Sequence, residues 1–351
     1  MARLALSPAI AAALAAALLF GASTPLAKQL LRDTSPMLLA GLLYLGSGVG
    51  LSVVRLVRDR GWRVPSMNRN EWLWLLLAIG FGGVLGPLLL LLGLTRTSAA
   101  SASLLLNLEV VLTALLAWIV FRENTDRRVV LGMALIVAGA TVLAGGGASH
   151  AVGLGSGALL IALACLCWAF DNNMTRKVSA SDAVFLAGLK GLTAGAVNTG
   201  LALLLGERLP ATAAVAEAMT LGLLGYGVSL VLFVLALRGL GAARSGAYFS
   251  TASFVGAAIA ILGFGEHPVA SFWLAAALMA GGVWLHLQER HEHVHTHPAL
   301  RHTHRHVHDG HHQHAHELEW DGREPHTHEH THALLRHRHR HYPDIHHQHE
   351  H

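Results

Sequence analysis

The sequence predicts an all-α polytopic membrane protein. We expect ten transmembrane helices, arranged as two inverted five-helix repeats, followed by a disordered His-rich tail. Of the 351 residues, 53% are hydrophobic and only 13% are charged, a balance typical of packed membrane helices. The apolar residues fall into stretches long enough to cross a bilayer, which needs about 20 residues per helix. In addition, 23 of the 26 histidines lie between His291 and His351.

Ten apolar stretches follow one another, separated by short linkers that hold Pro, Gly and charged residues. The first stretch resembles a signal peptide because Arg3 precedes an apolar run. That run continues to Leu31 and many similar stretches follow, so we interpret it as the first span. The predicted spans cover residues 8–31, 36–57, 72–93, 97–121, 128–146, 153–175, 183–205, 214–237, 241–264 and 269–287.

The distribution of Lys and Arg predicts the orientation of the chain. With the N-terminus in the cytosol, thirteen Lys and Arg residues flank the inner ends of the spans, and four flank the outer ends. Basic residues concentrate on the cytoplasmic side of membrane proteins. An even number of spans then places the C-terminal tail in the cytosol as well.

Two similar halves are predicted on either side of a Gly-rich joint. We divide the chain into a first five-helix repeat at 1–146, a second at 147–288 and a cytosolic tail at 289–351. A shift of 143 residues lays Leu94–Leu143 over Leu237–His286 with 11 identities in 50 positions. An odd number of spans per unit forces the two copies into opposite orientations, which is the inverted repeat common in carriers.

Four segments carry a resemblance to a known family. "LEVVLTALLAWIVFRE" (108–123) and "FVGAAIAILGFGE" (254–266) each end in Glu, and "LLFGASTPLAK" (18–28) and "LCWAFDNNMTRK" (166–177) lie in the first and sixth spans. Together they resemble the drug/metabolite transporter superfamily, in the branch built from two EamA-type domains.

The resemblance implies ten helices, inverted repeats and a substrate site between the halves. It also implies movement of organic solutes, often outward and often in exchange for protons or other solutes. Members often carry a proline in the middle of the fourth and ninth helices. This chain has Glu109 near that place in the fourth span, and 251–255 in the ninth contains no proline.

Glu109 is the most deeply placed ionisable residue, and Thr113 lies one turn further along the same face. A charged group in a membrane costs about 2.5–3.5 kcal/mol or more, so it needs a reason to be there. Glu109 is either a carboxylate that binds a coupling proton or cation, or a structural group with a basic partner. Lys190 in the seventh span pairs with Glu109 or Asp171, binds an anionic substrate group, or snorkels towards the cytosol.

A second polar cluster occupies the inner third of the sixth span. Asp171 is one turn from both Trp168 and Thr175, and Asn172 and Asn173 follow it directly. A substrate would meet a carboxylate, amides and an aromatic wall there. The alternative is a polar helix end at the membrane interface, since Arg and Lys come next.

Several chemistries are excluded by the residues that the sequence lacks. We find no phosphate-binding loop and no nucleophile with a base, so we expect neither catalysis nor ATP hydrolysis. Cys165 and Cys167 are two residues apart and do not share a helix face. We therefore interpret them as small packing residues and not as a pair of ligands. Glu123 and Glu266 end matching helices, which indicates a structural or gating role. Nothing in the sequence suggests nucleic-acid binding, because the basic residues form no face.

The tail is predicted to bind transition-metal ions. Neutral imidazole suits Zn, Ni, Co and Cu, and His-x-His spacing lets neighbouring rings share an ion in several weak, exchangeable sites. Binding should fall as the pH drops through about 6.5, because protonated imidazole does not ligate metals. The candidate ligands are His291, His293, His295, His297, His302, His304, His306, His308, His311, His312, His314 and His316.

Three functions remain open from the sequence. The favoured one is a carrier of small organic solutes with a metal-binding tail, and no cofactor is required for it. The second is an exporter of divalent transition metals whose tail collects the ion, and the third is a membrane-anchored metal sensor. The expected partners are the bilayer, a small-molecule solute and metal ions; a homodimer is left open. The expected location is the inner membrane of a bacterium.

Overall fold

A computed structural model gives the fold of the membrane part and of four segments of the tail. It describes residues 7–60, 65, 67–121, 127–145, 155–178, 181–240, 242–287, 292–297, 300–306, 326–332 and 335–340. The helices are α1 Pro8–Leu30, α2 Pro36–Asp59, α3 Arg69–Ala78, α4 Gly86–Leu94, α5 Ala99–Leu105, α6 Leu108–Phe121, α7 Arg127–Gly145, α8 Ser156–Val178, α9 Ala183–Leu204, α10 Thr212–Gly222, α11 Ser229–Leu240, α12 Ala242–Phe249, α13 Thr251–Phe264 and α14 Ala270–Leu287.

Two π-helical segments join helices into single spans. Ile79–Leu85 connects α3 to α4, and Leu223–Val228 connects α10 to α11. Helices α5 and α6 likewise form one span, as do α12 and α13. Counted this way, nine spans in the described residues are long and apolar enough to cross a membrane. The tenth is α9, which has 22 residues but is less apolar because it carries the buried Lys190 and Asn198.

Helix starts follow local capping chemistry. The Ser7 and Ser35 side chains accept hydrogen bonds from the first turns of α1 and α2, and a proline follows each serine. Serine at the N-cap and proline at the first helical position are both strongly favoured. Asn68 and Glu71 form a reciprocal capping box at the start of α3. These caps explain why the predicted starts near residues 8 and 36 are confirmed.

The fourth and ninth spans are interrupted at matching places, although neither contains a proline. α5 and α6 are separated at Leu106–Asn107, and α12 and α13 are separated at Ser250. The 143-residue shift carries the starts of α5, α6 and α7 onto those of α12, α13 and α14. The two halves therefore share their helix breaks as well as their span count.

Equivalent spans of the two halves pack against each other: α2 against α9, and α7 against α14. Gly41 of α2 lies against Thr199, whereas Gly48 lies against Gly191. Residue numbers rise along α2 as they fall along α9, so these two helices are antiparallel. A Cβ on Gly191 would lie 2.6 Å from the Gly48 Cα, so glycine is what permits this close approach. The antiparallel pairing of equivalent spans confirms the inverted repeat.

The structure pairs four segments of the tail as strands. β1 (Glu292–His297) is antiparallel to β4 (Leu335–Arg340), and β2 (Leu300–His306) is antiparallel to β3 (His326–His332). The physical reason is the alternation of His with Thr, Val and Arg. A period of two places alternate residues on opposite faces of a strand, and ladder hydrogen bonds then satisfy the backbone.

Candidate functional site

A cavity of about 70 Å³ lies between the two halves. The first half contributes α1, α2 and α6, and the second contributes α8, α9, the second π-helical segment, α11 and α12. Five of the eight residues predicted from the sequence line it: Glu109, Trp168, Asp171, Asn172 and Lys190. The other three are not among the lining residues: Thr113 contacts Asn172, Thr175 contacts Asp171, and Asn173 contacts Thr113.

The break in the fourth span places Glu109 in the first turn of α6. Its carboxylate oxygen Oε1 accepts a hydrogen bond from Asn172 Nδ2 at 2.8 Å. The N-terminus of a helix carries a partial positive charge that favours an acidic side chain. Broken helices place such ends near the middle of the membrane in many carriers. The interruption at Leu106–Asn107 therefore positions Glu109 at the cavity.

Two asparagines of α8 tie that helix to α6. Asn172 Nδ2 also lies 3.4 Å from Thr113 Oγ1, and Asn173 Nδ2 donates to the Thr113 carbonyl at 3.3 Å. Asn173 additionally donates to the carbonyl of Ala169, one turn earlier on its own helix, at 2.9 Å. Asn172 therefore faces the cavity and Glu109, whereas Asn173 fastens the helix interface.

Asp171 and Lys190 form an ion pair beside Glu109. Their side chains are only 8% and 7% exposed, and Thr175 Oγ1 donates to the second carboxylate oxygen of Asp171 at 2.9 Å. Of the roles that the sequence left open for Lys190, pairing with Asp171 is the one that the structure shows. Asp171 itself is 5% exposed and faces the cavity.

Gly82, in the first π-helical segment, organises one wall of the site. Its carbonyl accepts hydrogen bonds from Tyr44 Oη at 2.8 Å and from Trp168 Nε1 at 3.0 Å. A Cβ on Gly82 would lie 2.5 Å from the Asp171 Cβ. The glycine-rich step at Gly80–Gly83, predicted to permit close packing, therefore also makes room for the acidic side chain. π-helical turns occur often at functional sites, and this one exposes a carbonyl that two ring donors share.

Sequence reasoning missed the aromatic side chains that complete the cavity. Phe20 packs edge-on against Trp168 and Tyr226, with ring centroids 6.1 and 5.8 Å apart. Phe249 lies 5.3 Å from Phe20, and Tyr44 lies 5.4 Å from Tyr226. The glycines that flank Tyr226 were the available signal, because they match the glycine-rich step of the other half.

Near the ends of α1 and α13, Lys28 and Glu266 bind backbone groups at the junction of α4 and α5. Glu266 accepts hydrogen bonds from the backbone N–H groups of Ala99 and Ala100, each at 2.8 Å. Lys28 donates to the carbonyls of Leu94 and Thr97. Glu266 thus caps α5 from the other half of the molecule, which agrees with a structural role. Glu123 lies outside the described residues.

The histidines predicted to bind metal are covered only in part. His293, His295 and His297 lie on β1, and His302, His304 and His306 lie on β2. The remaining six, His291, His308, His311, His312, His314 and His316, lie outside the described residues. Among the residues with described side chains, no three His, Cys, Asp or Glu are grouped to hold a metal ion.

The sequence matches the EamA-like transporter family twice, over residues 7–145 and 155–288. The chain belongs to the EamA-like transporter family. Each match covers one of the two halves that the helix breaks and the antiparallel packing relate. The resemblance seen in the sequence is confirmed, and this EamA-like protein is a multi-pass membrane protein.

Relatives of this EamA-like chain carry transporter names. An uncharacterized transporter of Methanothermobacter thermautotrophicus is 30% identical over 268 residues, covering 70% of this chain and 76% of its own length. A probable 4-amino-4-deoxy-L-arabinose-phosphoundecaprenol flippase subunit ArnE of Pseudomonas aeruginosa is 41% identical over 116 residues, which is 31% of this chain and 96% of that protein.

A solved crystal structure has the same fold. It superposes with a TM-score of 0.61 at 21% sequence identity, over 80% of this chain and 98% of its own. At that identity the likeness shows the fold alone. The family and the relatives together establish a membrane transporter; what it carries has to be inferred from its own cavity.

Proposed function

We propose that the chain is a secondary carrier that exports small organic solutes in exchange for protons, with Glu109 as the proton-binding group. One observation carries this proposal. Among the described residues that line the cavity, Glu109 is the one ionisable carboxylate whose hydrogen-bond partner is a neutral amide. Asp171, in contrast, is paired with Lys190.

A carboxylate without a cationic partner is costly inside a membrane, by about 2.5–3.5 kcal/mol or more. It is relieved by binding a proton or by binding a cationic group of a ligand, and the two compete for the same oxygens. We propose that Glu109 holds either a proton or the cationic group of the ligand whenever the carrier switches from one side of the membrane to the other. Each cycle then exchanges a proton for the ligand.

The inner bacterial membrane, with both termini in the cytoplasm, is the location we propose from the Lys and Arg distribution.

The names of the relatives support transport of an organic solute. One is called a transporter and another a subunit of a flippase for an amino-sugar lipid. Neither name assigns a solute to this chain, and the small cavity favours a small one. Ordinary drug-sized ligand sites have about 300–1,000 Å³, against about 70 Å³ here.

The test is solute-driven proton movement in proteoliposomes that trap a pH-sensitive dye. A panel of neutral, anionic and cationic organic solutes is applied as gradients to vesicles holding the full chain. We expect at least one solute to drive proton movement in the opposite direction, and Glu109→Gln to abolish it. Glu217→Gln is the matched control, because Glu217 is an exposed glutamate on α10. The proposal fails if Glu109→Gln transports with unchanged pH dependence.

We also propose that the tail binds Zn, Ni, Co or Cu ions, because the strand register sets histidines opposite histidines. His293 faces position 339 and His295 faces 337 in one pair of strands, and His302, His304 and His306 face 330, 328 and 326 in the other. Directly opposite residues of antiparallel strands have Cβ atoms about 4.5–5.5 Å apart, and neutral imidazole is a ligand that suits these metals.

This pairing keeps metal export as a second candidate function. Cellular metal content under nickel, cobalt, zinc and copper load separates the candidates. Three proteins are compared: the full chain, a chain ending at Gln288, and the full chain with Glu109→Gln. Export predicts that one metal falls with the full chain and not with Glu109→Gln. We expect instead that no metal level depends on Glu109, which leaves the tail as a buffer or sensor.

A further inference from the structure

The charged side chains that line the cavity indicate the sign of the charge on the ligand. Asp171 is neutralised by Lys190, and its second oxygen is occupied by Thr175. With Glu109 ionised, these three charged side chains sum to one negative charge. The other titratable groups around Glu109 are Cys165 on α8 and the hydroxyls of Tyr44 and Tyr226, which are neutral at ordinary pH. A single positive charge on the ligand would therefore balance the site.

The rings around the cavity favour the same sign. Six aromatic side chains line it: Phe20, Tyr44, Trp168, Tyr226, Phe233 and Phe249. Aromatic faces attract ammonium groups, by about 0.5–2 kcal/mol or more when water is excluded, and they repel anions. Tyr226 lines the cavity, and its buried hydroxyl beside Ser23 adds a polar group to this aromatic wall.

Two other ligand classes fit less well. An anion would have to take Lys190 from Asp171, which would leave that carboxylate buried with only the Thr175 hydroxyl. Breaking a buried ion pair is strongly unfavourable. A divalent metal ion needs several oxygen, nitrogen or sulfur ligands. The described side chains contain no grouping of three His, Cys, Asp or Glu that would supply them.

We infer that the substrate of this carrier is a small organic cation, a protonated amine or a quaternary ammonium compound. Its nitrogen lies against the Glu109 carboxylate and the ring of Phe20, and it binds when Glu109 has released its proton. This inference rests on the proposed exchange at Glu109 and names the class of solute exchanged. One proton leaves the carboxylate for each cation that binds there.

The test uses choline and its uncharged isostere 3,3-dimethyl-1-butanol, in which carbon replaces the ammonium nitrogen. Ethylamine and ethanol form a second matched pair. With the full chain in the dye-loaded proteoliposomes, we expect gradients of choline or ethylamine, and not of the alcohols, to drive opposite proton movement. Glu109→Gln should lower apparent choline affinity by at least about 100-fold, because it removes the partner of a desolvated cation.

A second variant separates ligand recognition from proton binding. Phe20→Leu should weaken choline by about 2- to 30-fold, the equivalent of one cation–π contact. In Phe20→Leu the proton that Glu109 titrates should remain. It is measured without solute, as the proton uptake that is lost when Glu109→Gln is introduced, and this difference should be the same with Phe20 and with Leu at position 20. Glu217→Gln should behave as wild type in both measurements.

The outcomes distinguish the two proposals. If another solute of the panel moves protons through Glu109 while neither ammonium compound does, the substrate class is overturned and the exchange stands. If no solute moves protons, the exchange falls and the substrate class falls with it. Equal responses to choline and its isostere would also overturn the assignment, because charge would then play no part in recognition.

Discussion

Replacing Lys190 by Met tests whether the Asp171–Lys190 pair is as buried and as specific as its geometry indicates. The change removes the ammonium and keeps most of the side-chain volume. Asp171 would be left about 5% exposed, with one described hydrogen bond, from Thr175 at 2.9 Å. Removing one partner of a buried pair typically costs about 3–5 kcal/mol. We therefore expect a loss of that size in the free energy of unfolding.

The chain contains a matched control in Arg58, which pairs with Asp182 at 2.8 Å and with its neighbour Asp59 at 2.7 Å; the three side chains are 44%, 32% and 20% exposed. Exposed pairs contribute about 0–1 kcal/mol, so Arg58→Met should cost far less than Lys190→Met. Both variants are measured by reversible unfolding in detergent, with free energies from the unfolding midpoints and slopes.

A double-mutant cycle completes the test. Asp171→Asn alone should also destabilise the protein, whereas Asp171→Asn combined with Lys190→Met should recover part of the loss. We expect a coupling energy near the upper end of the usual range of about 0.5–3 kcal/mol. A cost below about 1 kcal/mol for Lys190→Met, or additive effects in the double variant, would refute the reasoning, because the pair would then behave like an exposed one.

Three further predictions concern Gly82, Glu266 and the tail. Gly82→Ala should destabilise the protein by about 1–3 kcal/mol or more by overpacking against Asp171, and an unchanged unfolding midpoint would contradict the contact. Glu266→Ala should cost about 1–3 kcal/mol, because two backbone donors at the start of α5 lose a charged acceptor; Glu266→Gln should cost less, and equal costs would argue against the cap. Calorimetry at pH 7.5 should show nickel, cobalt, copper or zinc binding to the full chain, lost in a chain ending at Gln288 and weakened at pH 5.5; metal binding that the truncation leaves intact would place it outside the tail.

The membrane spans were predictable because the bilayer imposes a length and a polarity on each of them. The predicted stretch 36–57 became Pro36–Asp59, and 241–264 became the pair of helices that ends at Phe264. The interruptions within spans were not predictable, since hydropathy averaged over a span does not register a single break. The break at Asn107 also lacks a proline, the residue that would have predicted a break from the sequence. Asn107 is instead fully buried by tertiary packing.

The polar half of the site was predictable because ionisable groups are rare and costly inside a membrane. Of the aromatic half, Trp168 was predicted from its place one turn before Asp171, and the other rings were not. Trp168 is 6% exposed in the cavity wall, whereas Trp118, Trp273 and Trp284 are 45–57% exposed on the outer surface of the helices. Trp118, Trp273 and Trp284 lie in apolar surroundings in the sequence, as do the unpredicted cavity rings Phe20 and Phe233, so only the packing of the spans tells a cavity ring from a ring that faces lipid.

The two halves share a scaffold but do not share the chemistry. The 143-residue shift that aligns α6 with α13 carries Glu109 onto Ala252 and Thr113 onto Gly256. Among the described residues that line this pseudo-symmetric cavity, Glu109 is thus the one acidic side chain that is not in an ion pair. Under the proposed mechanism that limits each cycle to one charge, a proton in one direction and a monovalent cation in the other. Exchange should then carry no net charge, and a potassium diffusion potential set with valinomycin should leave choline-driven proton movement unchanged. A rate that follows the potential would instead require a second charge to cross with the solute, which the Asp171–Lys190 pair, neutral as a unit, does not provide.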